Sequence, residues 1–263
     1  MLNAFSRTEL LLGKEAMQKL KDSKIAIFGI GGVGGNVVDA LARSGVGHFV
    51  LIDDDTVSLT NINRQLVANV NTIGRKKTEV MKEHILSINP DAEVTICQTF
   101  YLPENSAQFD FSPYDYCVDA IDTVTAKIDI ILQCQKVGTP IISSMGAGNR
   151  LDPFSLRIGD LFSTSMDPLA KVMRRELRKR GVKSLKVLYS VEKPTVPSPS
   201  EEEENDLKKE KGINERSGKP KRSIPGSTSF VPPVAGIMIA SEIIKDLTGF
   251  TPNSDKKEAE ASK

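Results

Sequence analysis

The chain has 263 residues, 39% of them hydrophobic and 26% charged, which is typical of one large globular domain or of a domain with an extension. With a formal net charge of +1, the chain as a whole is not attracted to nucleic acids or membranes. A nucleic-acid site would therefore have to be a local patch of positive charge. Three scattered cysteines and the lack of an apolar run of ~20 residues argue against a zinc cage, a disulfide framework and a membrane span, and we expect a cytoplasmic protein.

The first part of the chain alternates short β-branched runs with amphipathic stretches. Residues 1–23 are predicted to be helical. Strands are then predicted at residues 25–28, 48–52, 93–98, 115–119 and 140–143. Helices are predicted at residues 33–43, 77–89 and 124–137. This alternation predicts an α/β fold, doubly wound, with a mostly parallel sheet, a Rossmann-like half and a smaller carboxyl-terminal extension.

The pattern weakens after residue 150. Strands are predicted at residues 155–158, 184–190 and 227–231, and helices at 167–180 and 234–247. Residues 194–222 are rich in Pro, Ser, Glu and Lys, and we expect a mobile loop there. We predict a nucleotide-binding core at residues 1–150, a continuation of the same domain at 151–250, and a disordered tail at 251–263.

A glycine motif follows the first predicted strand. Gly29, Gly31 and Gly34 match G-x-G-x-x-G, and Gly32 lies within the motif. Glycine lets the backbone turn tightly against phosphate oxygens, and the helix that follows directs free N–H groups at an anion. Glycines also pack helices against strands, so the motif alone is a weak signal. Asp53 ends the second strand and would hold ribose hydroxyls in either a dinucleotide enzyme or an ATP enzyme.

Three charged residues favour ATP over a dinucleotide. A triphosphate needs cations near its outer phosphates, and Arg64 and Lys77 follow the second strand. Asp122 follows the fourth strand, and a carboxylate that faces phosphates requires Mg²⁺ between them. Each residue also has an ordinary alternative, since Arg64 and Lys77 could be solvated and Asp122 could cap a helix.

Taken together, these residues resemble those of the ThiF/MoeB/HesA superfamily, which is related to ubiquitin-activating enzymes. The resemblance is carried by Arg7, Gly29 to Gly35, Asp53, Asn61, Arg64, Gln65, Lys77, Asp119 and Asp122. It implies ATP- and Mg²⁺-dependent adenylation of a carboxylate. It implies further that Asp53 holds the ribose, that Asn61, Arg64 and Lys77 contact the phosphates, that Gln65 shapes the pocket and that Asp122 binds Mg²⁺. Arg7 would be an arginine finger offered to a second subunit, which implies a homodimer.

Within this superfamily the chain resembles the branch of tRNA threonylcarbamoyladenosine dehydratases. The matching segments are residues 5–13, 45–47, 88–90, 119–122, 146–148, 225–232 and 235–236. The resemblance implies adenylation of the threonyl carboxylate of threonylcarbamoyladenosine in the anticodon loop of tRNA, followed by cyclisation with net loss of water. A sulfur-relay protein stays open as a further partner. No cysteine follows Cys134, so a catalytic cysteine like that of ubiquitin-activating enzymes has no counterpart.

A basic stretch supports tRNA as the substrate. Residues 171–180 hold six lysines and arginines, including Arg174, Arg175 and Arg178, in an otherwise neutral chain. A solvated helix face is the structural alternative. The rival functions are an adenylyltransferase for a ubiquitin-like sulfur-carrier protein, a nicotinamide-dependent oxidoreductase and a non-catalytic scaffold. The basic stretch and the lack of paired zinc cysteines weigh against the first, and the three charged residues weigh against the second.

Overall fold

The computed structural model describes residues 2–200, 206 and 225–250. The strands in these ranges are β1 (Lys24–Phe28), β2 (His48–Ile52), β3 (Glu93–Cys97), β4 (Tyr116–Asp119), β5 (Ile141–Ser144), β6 (Leu156–Asp160) and β7 (Lys186–Ser190). The helices are α1 (Ser6–Leu12), α2 (Lys14–Asp22), α3 (Gly34–Arg43), α4 (Lys77–Ile88), α5 (Val124–Val137), α6 (Pro168–Lys179) and α7 (Val231–Thr248). Short 3₁₀ turns lie at Leu59–Asn61, Pro103–Gln108, Pro153–Ser155 and Leu161–Ser163.

The strands form one seven-stranded sheet in the order β3-β2-β1-β4-β5-β7-β6. Every pair of neighbours is parallel except β6 and β7. This arrangement confirms the predicted α/β fold with a doubly wound, mostly parallel sheet. The chain runs from β1 outward to β3 and then returns to the other side of β1 as β4. The carboxyl ends of β1 and β4 therefore mark a switch point, where ligands bind in sheets of this kind.

Helices cover both faces of the sheet, so its central strands are apolar on both sides. One core contains Leu20 of α2, Leu41 of α3, Met81 of α4 and Ile239 of α7. The other core is built from α5 and α6 and includes Ile131, Met173 and Leu177. Gly236 allows α7 to pack closely against the start of α3. An added Cβ at this position would lie only 2.4 Å from the carbonyl oxygen of Val33.

Two predictions of local structure were wrong. The helical segment of residues 1–23 is broken at Gly13, which has φ +84° and separates α1 from α2. Residues 227–231 do not form a strand, and α7 begins at Val231, earlier than predicted. Pro232 lies in the first turn of α7, where its missing N–H costs nothing, and it could not have donated to a sheet.

The remaining expectations concern the cysteines, the loop at 194–222, the tail at 251–263 and a membrane span. All three cysteines are free thiols, with Cys117 and Cys134 buried and Cys97 half-buried. Most of the expected loop at 194–222 and the whole tail at 251–263 lie outside the described residues. Among the residues that the structure describes, no helix combines the length and the hydropathy required to cross a membrane.

Candidate active site

A cavity of about 380 Å³ opens at the carboxyl ends of β1, β2 and β4. Its volume is within the range typical of small-molecule sites, roughly 300–1,000 Å³. It is lined by residues 28, 29, 31, 32, 52–56, 58, 61, 64, 65, 77, 99–101 and 120–122. The switch point of the sheet thus forms a polar pocket.

This cavity brings together most of the residues singled out from the sequence. The predicted residues in its wall are Gly29, Gly31, Gly32, Asp53, Asn61, Arg64, Gln65, Lys77 and Asp122. Gly34 and Arg7 are not among the lining residues. Gly34 lies behind the wall, where an added Cβ would come within 1.8 Å of the carbonyl oxygen of Gly29. Gly34 therefore permits the turn to close rather than bordering the cavity.

The glycine turn is shaped by two close approaches and one open position. Gly29 has φ +92°, and an added Cβ would lie 2.8 Å from the carbonyl oxygen of Ala120. Gly31 has no atom within 4 Å of its ideal Cβ, although it borders the cavity. The backbone at Gly31 is thus open to the cavity, and α3 begins three residues later at Gly34 with its free N–H groups near this edge.

Asp53 is tied to the glycine turn. Its Oδ2 accepts a hydrogen bond from the Ile30 N–H at 2.6 Å, and its Oδ1 accepts one from the Asp55 N–H at 2.8 Å. Burial raises the pKa of the Asp53 carboxyl above its ordinary value, and the positive charge of Lys77 opposes that increase. These bonds fix the carboxylate at the end of β2, beside the turn where a nucleotide's ribose would lie.

The cations of the cavity are held in place by polar partners. Lys77 is buried at the start of α4, and its Nζ donates to Asp55 Oδ2 at 2.8 Å. Arg64 donates to the carbonyl oxygen of Thr60 at 2.9 Å and to Asn63 Oδ1 at 2.8 Å. Gln65 is 8% exposed, and among the described residues its Oε1 has no hydrogen-bond partner. A buried amide oxygen in a cavity wall without a protein partner is available to accept a hydrogen bond from water or from a ligand.

Acidic side chains gather on the same rim. Asp122 is exposed at the cavity edge, three residues beyond the end of β4. Carboxylate oxygens of Asp53, Asp54 and Asp55 can lie within 4.8 Å of one another. Hard carboxylate oxygens beside a phosphate site suit Mg²⁺, which binds one or two carboxylates together with substrate phosphates. The exposed Asp122 carboxylate at the cavity edge therefore suits Mg²⁺, although it is not part of the cluster formed by Asp53, Asp54 and Asp55.

Sequence reasoning missed the wall that follows β3. Thr99, Phe100 and Tyr101 line the cavity after the end of that strand. Tyr101 packs edge-on against Phe28 with ring centroids 5.2 Å apart, and its hydroxyl donates to Asp129 Oδ2 at 2.6 Å. The available signal was the position of these residues at a strand carboxyl end, which also identified Asp53.

Two polar residues at strand carboxyl ends lie behind the cavity and do not line it. Asp119 and Ser144 end β4 and β5 and are buried, at 0% and 5% exposed. Neither is among the residues that line the cavity, whereas the next three residues after Asp119 are. The strand ends therefore support the wall, and the segment that follows β4 forms it.

Arg7 and the basic helix lie outside the cavity. Arg7 is exposed on α1. Helix α6 begins beside the end of β5, where the Gly146 N–H donates to Asp167 Oδ2 at 3.2 Å. Its 12 residues extend about 18 Å toward the opposite edge of the sheet. The arginines near its carboxyl end therefore lie far from the cavity.

The charges of α6 are partly engaged within the helix region. Arg174 donates to the carbonyl oxygen and hydroxyl of Thr164, and the Arg178 guanidinium lies 5.4 Å from the centre of the Phe162 ring. Glu176 binds Arg175, Lys179 and Arg180, and these cations lower the pKa of its carboxyl to about 2. Arg174 is thus a structural residue, and the exposed positive stripe is made by Lys171, Arg175 and Arg178, which are spaced along one helix face.

The chain is similar to proteins of a known family and to solved structures of that family. The ThiF family profile matches residues 5–262. The tRNA threonylcarbamoyladenosine dehydratase of Bacillus subtilis is 44% identical over 248 residues, which are 94% of this chain and 95% of that protein. The crystal structure of Escherichia coli tRNA N6-threonylcarbamoyladenosine dehydratase, TcdA, in complex with ATP superposes with a TM-score of 0.80 at 33% identity and covers 94% of both chains.

A relative with another activity is similar over a shorter region. The sulfur carrier protein ThiS adenylyltransferase of Escherichia coli is 34% identical over 151 residues, which are 56% of this chain and 60% of that protein. The match to this adenylyltransferase covers little more than half of the chain, whereas the match to the dehydratase covers nearly all of it.

Proposed function

The chain belongs to the ThiF family, and from this membership we propose that it is an ATP-dependent tRNA-modifying enzyme. It adenylates the threonyl carboxylate of threonylcarbamoyladenosine in tRNA and then cyclises that side chain, with net loss of one water. The observation that carries this proposal is the joint placement of a buried Lys77, Arg64 and Asp53 around one cavity beside an open glycine turn. The near full-length similarity to the Bacillus subtilis dehydratase supports the choice of substrate.

The chemistry explains why cations dominate the cavity. A carboxylate oxygen attacks the α-phosphorus of ATP, the bond from that phosphorus to the bridging oxygen breaks, and pyrophosphate leaves. Two anions must approach each other, so catalysis depends on positioning and on neutralising charge. A nitrogen of the same substrate then attacks the activated carbonyl, loses its proton and expels AMP. Because this nucleophile is already tethered, no cysteine carrier is required.

Each cavity residue has a role in this reaction. Lys77, Arg64 and Asn61 bind the phosphates, and the N–H groups of Gly31 and Gly32 face them. The Gly29 N–H donates instead to the carbonyl oxygen of Ile52, so Gly29 shapes the turn. Gln65 Oε1 accepts a hydrogen bond from a donor group of the nucleotide. Asp53 binds the ribose hydroxyls. Asp122 holds Mg²⁺, which neutralises phosphate charge when it is bound.

Arg7 acts in the cavity of a second copy of the chain, and the enzyme is a homodimer. This part of the proposal is supported by the surface around Arg7. Leu10 and Leu11 on the same helix are 86% and 78% exposed, and Leu2 just before it is 95% exposed. Exposed leucines beside a functional arginine are typical of a surface that a partner covers.

The tRNA contacts the exposed stripe of α6, where lysine and arginine side chains bind its phosphates. The reaction takes place in the cytoplasm, where a tRNA substrate and ATP are both present. A sulfur-relay protein stays a prediction, and no step proposed for this enzyme requires one.

The alternative substrate is a ubiquitin-like sulfur-carrier protein with a free carboxyl terminus. Exchange of labelled pyrophosphate into ATP separates the two, because it reports adenylation of whichever carboxylate is supplied. We expect exchange to be stimulated by tRNA that carries threonylcarbamoyladenosine and not by the same tRNA without the modification. Stimulation by a sulfur carrier but not by the modified tRNA would favour the alternative.

A further inference from the structure

A buried lysine outside the cavity makes three polar contacts. Lys127 lies on α5 with a fully buried side chain, and its Nζ is 2.9 Å from Asp119 Oδ2. The same ammonium donates to the carbonyl oxygen of Ser144 at 2.8 Å and to that of Ile121 at 3.2 Å. Because an ammonium group has three hydrogens, these acceptors use its full donor capacity.

Stability alone is a poor explanation for this pair. Moving two charges out of water carries a large desolvation penalty, and replacing a buried ion pair by apolar residues is often neutral or stabilising. The pair is also imperfect, since Asp119 Oδ1 is buried and has no hydrogen-bond partner among the described residues. Ser143 donates its hydroxyl to the other oxygen, Oδ2. The pair is therefore weak evidence for a stabilising role, and its contacts have to be examined for another one.

The three acceptors lie at the switch point of the sheet. Asp119 is the last residue of β4 and Ser144 is the last residue of β5. Ile121 is in the cavity wall, between Ala120, which touches the glycine turn, and Asp122 on the rim. Lys127 therefore joins two strand ends to the segment that presents Asp122.

We propose that Lys127 is a positioning residue that sets the place of Asp122 at the cavity rim through the carbonyl of Ile121. It acts on the reacting phosphates only through that segment, because its own side chain is fully buried. The carbonyl of Ser144 locks the same ammonium to β5, so the 120–122 segment cannot shift without breaking the contact between the two strand ends. This inference rests on the proposed function of the cavity.

The test removes both charges together, because Lys127→Met alone would leave Asp119 buried and unpaired. We would compare the paired substitution Asp119→Asn with Lys127→Met, and the apolar pair Asp119→Leu with Lys127→Met. We expect at least one pair to keep the native melting temperature within a few degrees. Its kcat should fall on the order of 10- to 100-fold, as a displaced active-site group costs, while KM for ATP changes much less. Lys136→Met on the exposed face of the same helix is the matched control, and it should leave kcat unchanged.

A double-mutant cycle separates positioning from packing. Asp122→Asn is measured in the native protein and in the charge-free pair that folds. If Lys127 positions Asp122, the effect of Asp122→Asn is smaller in the second background, because that carboxylate is already misplaced. Three results would overturn the role of Lys127. The first is that Asp122→Asn lowers kcat by the same factor in both backgrounds. The others are a native kcat in the charge-free pair and failure of both pairs to fold. Failure of the proposed function is distinct from these results, since the native protein would then form no AMP with modified tRNA.

Discussion

Lys77 Nζ lies 2.8 Å from Asp55 Oδ2, and the two side chains differ sharply in exposure, at 6% for the lysine and 59% for the aspartate. The ammonium is therefore fixed in the wall, while its carboxylate partner faces solvent. A phosphate that enters the cavity meets a cation whose position is already set. Preorganised charge of this kind stabilises a reaction without reorganisation at the moment of chemistry.

Loss of the Lys77 charge should disable nucleotide use. Lys77→Met is expected to lower kcat/KM for ATP on the order of 100-fold or more, because an ammonium aimed at developing phosphate charge is lost. The kcat/KM of Lys77→Arg for ATP should lie between those of the native protein and of Lys77→Met. Steady-state formation of AMP measures the effect. Lys82→Met, on the same helix but outside the cavity wall, should behave like the native protein, and an equal loss there would point to a general effect on α4.

Substitutions at two glycines of the turn should have different effects, one on stability and the other on ATP affinity. Gly34→Ala must move backbone, since its Cβ would lie 1.8 Å from the carbonyl oxygen of Gly29, and we expect a large drop in melting temperature. Gly31→Ala adds a methyl group where no atom lies within 4 Å, so the fold should be kept. Its methyl would occupy the edge of the cavity, and ATP affinity measured by calorimetry should fall. Native ATP affinity in folded Gly31→Ala would place the phosphates elsewhere.

Mixing inactive variants tests whether Arg7 acts across a dimer. Arg7→Ala and Lys77→Met should each be inactive alone. In a mixed dimer, one cavity keeps Lys77 and receives Arg7 from the other copy. Random exchange should therefore restore about a quarter of the native activity, because half of the dimers carry one intact site of two.

The matched control for this experiment is a mixture of Lys77→Met with Asp122→Asn. Both lesions lie in the cavity, so no mixed dimer contains an intact site. Activity that stays absent when Arg7→Ala is mixed with Lys77→Met, although the two proteins exchange subunits, would show that Arg7 serves its own chain or none.

The exposed stripe of α6 should govern the affinity for tRNA. Reversal of Lys171, Arg175 and Arg178 to Glu should weaken tRNA binding at least tenfold and reduce its dependence on salt by about one unit of slope for each lost phosphate contact. ATP affinity should not change. Filter binding at several salt concentrations measures both quantities. Reversal of Lys21, Lys82 and Lys136 is the control, and an equal loss there would indicate only a general effect of net charge.

The sequence was sufficient for the architecture because strand and helix periods alternate clearly as far as β5. The cavity wall was also predictable in large part, since Asp53, Arg64, Lys77 and Asp122 carry charge types that a triphosphate requires. It did not reveal that Asp119 and Ser144 lie behind the wall. A residue at a strand end points either into the crevice or into the protein, and the direction depends on twist and register. The start of α7 was misplaced because residues 227–231 were predicted to be a strand and the helix was predicted to begin at residue 234, whereas Pro232 lies in the first helical turn, where proline is favoured.

The basic helix shows a different limit. The sequence correctly marked α6 as a concentration of positive charge, but it could not tell which charges are free to bind a partner. Arg174 is held by Thr164 and is not free to bind a partner, whereas Arg178 is exposed although its guanidinium lies over the Phe162 ring. Contacts between residues distant in the chain decide this, and periodicity carries no information about them.

The most direct test of the account is the mass of the modified nucleoside after reaction. The protein is incubated with ATP, Mg²⁺ and tRNA that carries threonylcarbamoyladenosine, and the nucleosides are then analysed by mass spectrometry under conditions that preserve the ring. We predict that the nucleoside loses the mass of one water while AMP and pyrophosphate appear in equal amounts. An unchanged nucleoside mass with native, folded protein and bound ATP would contradict it.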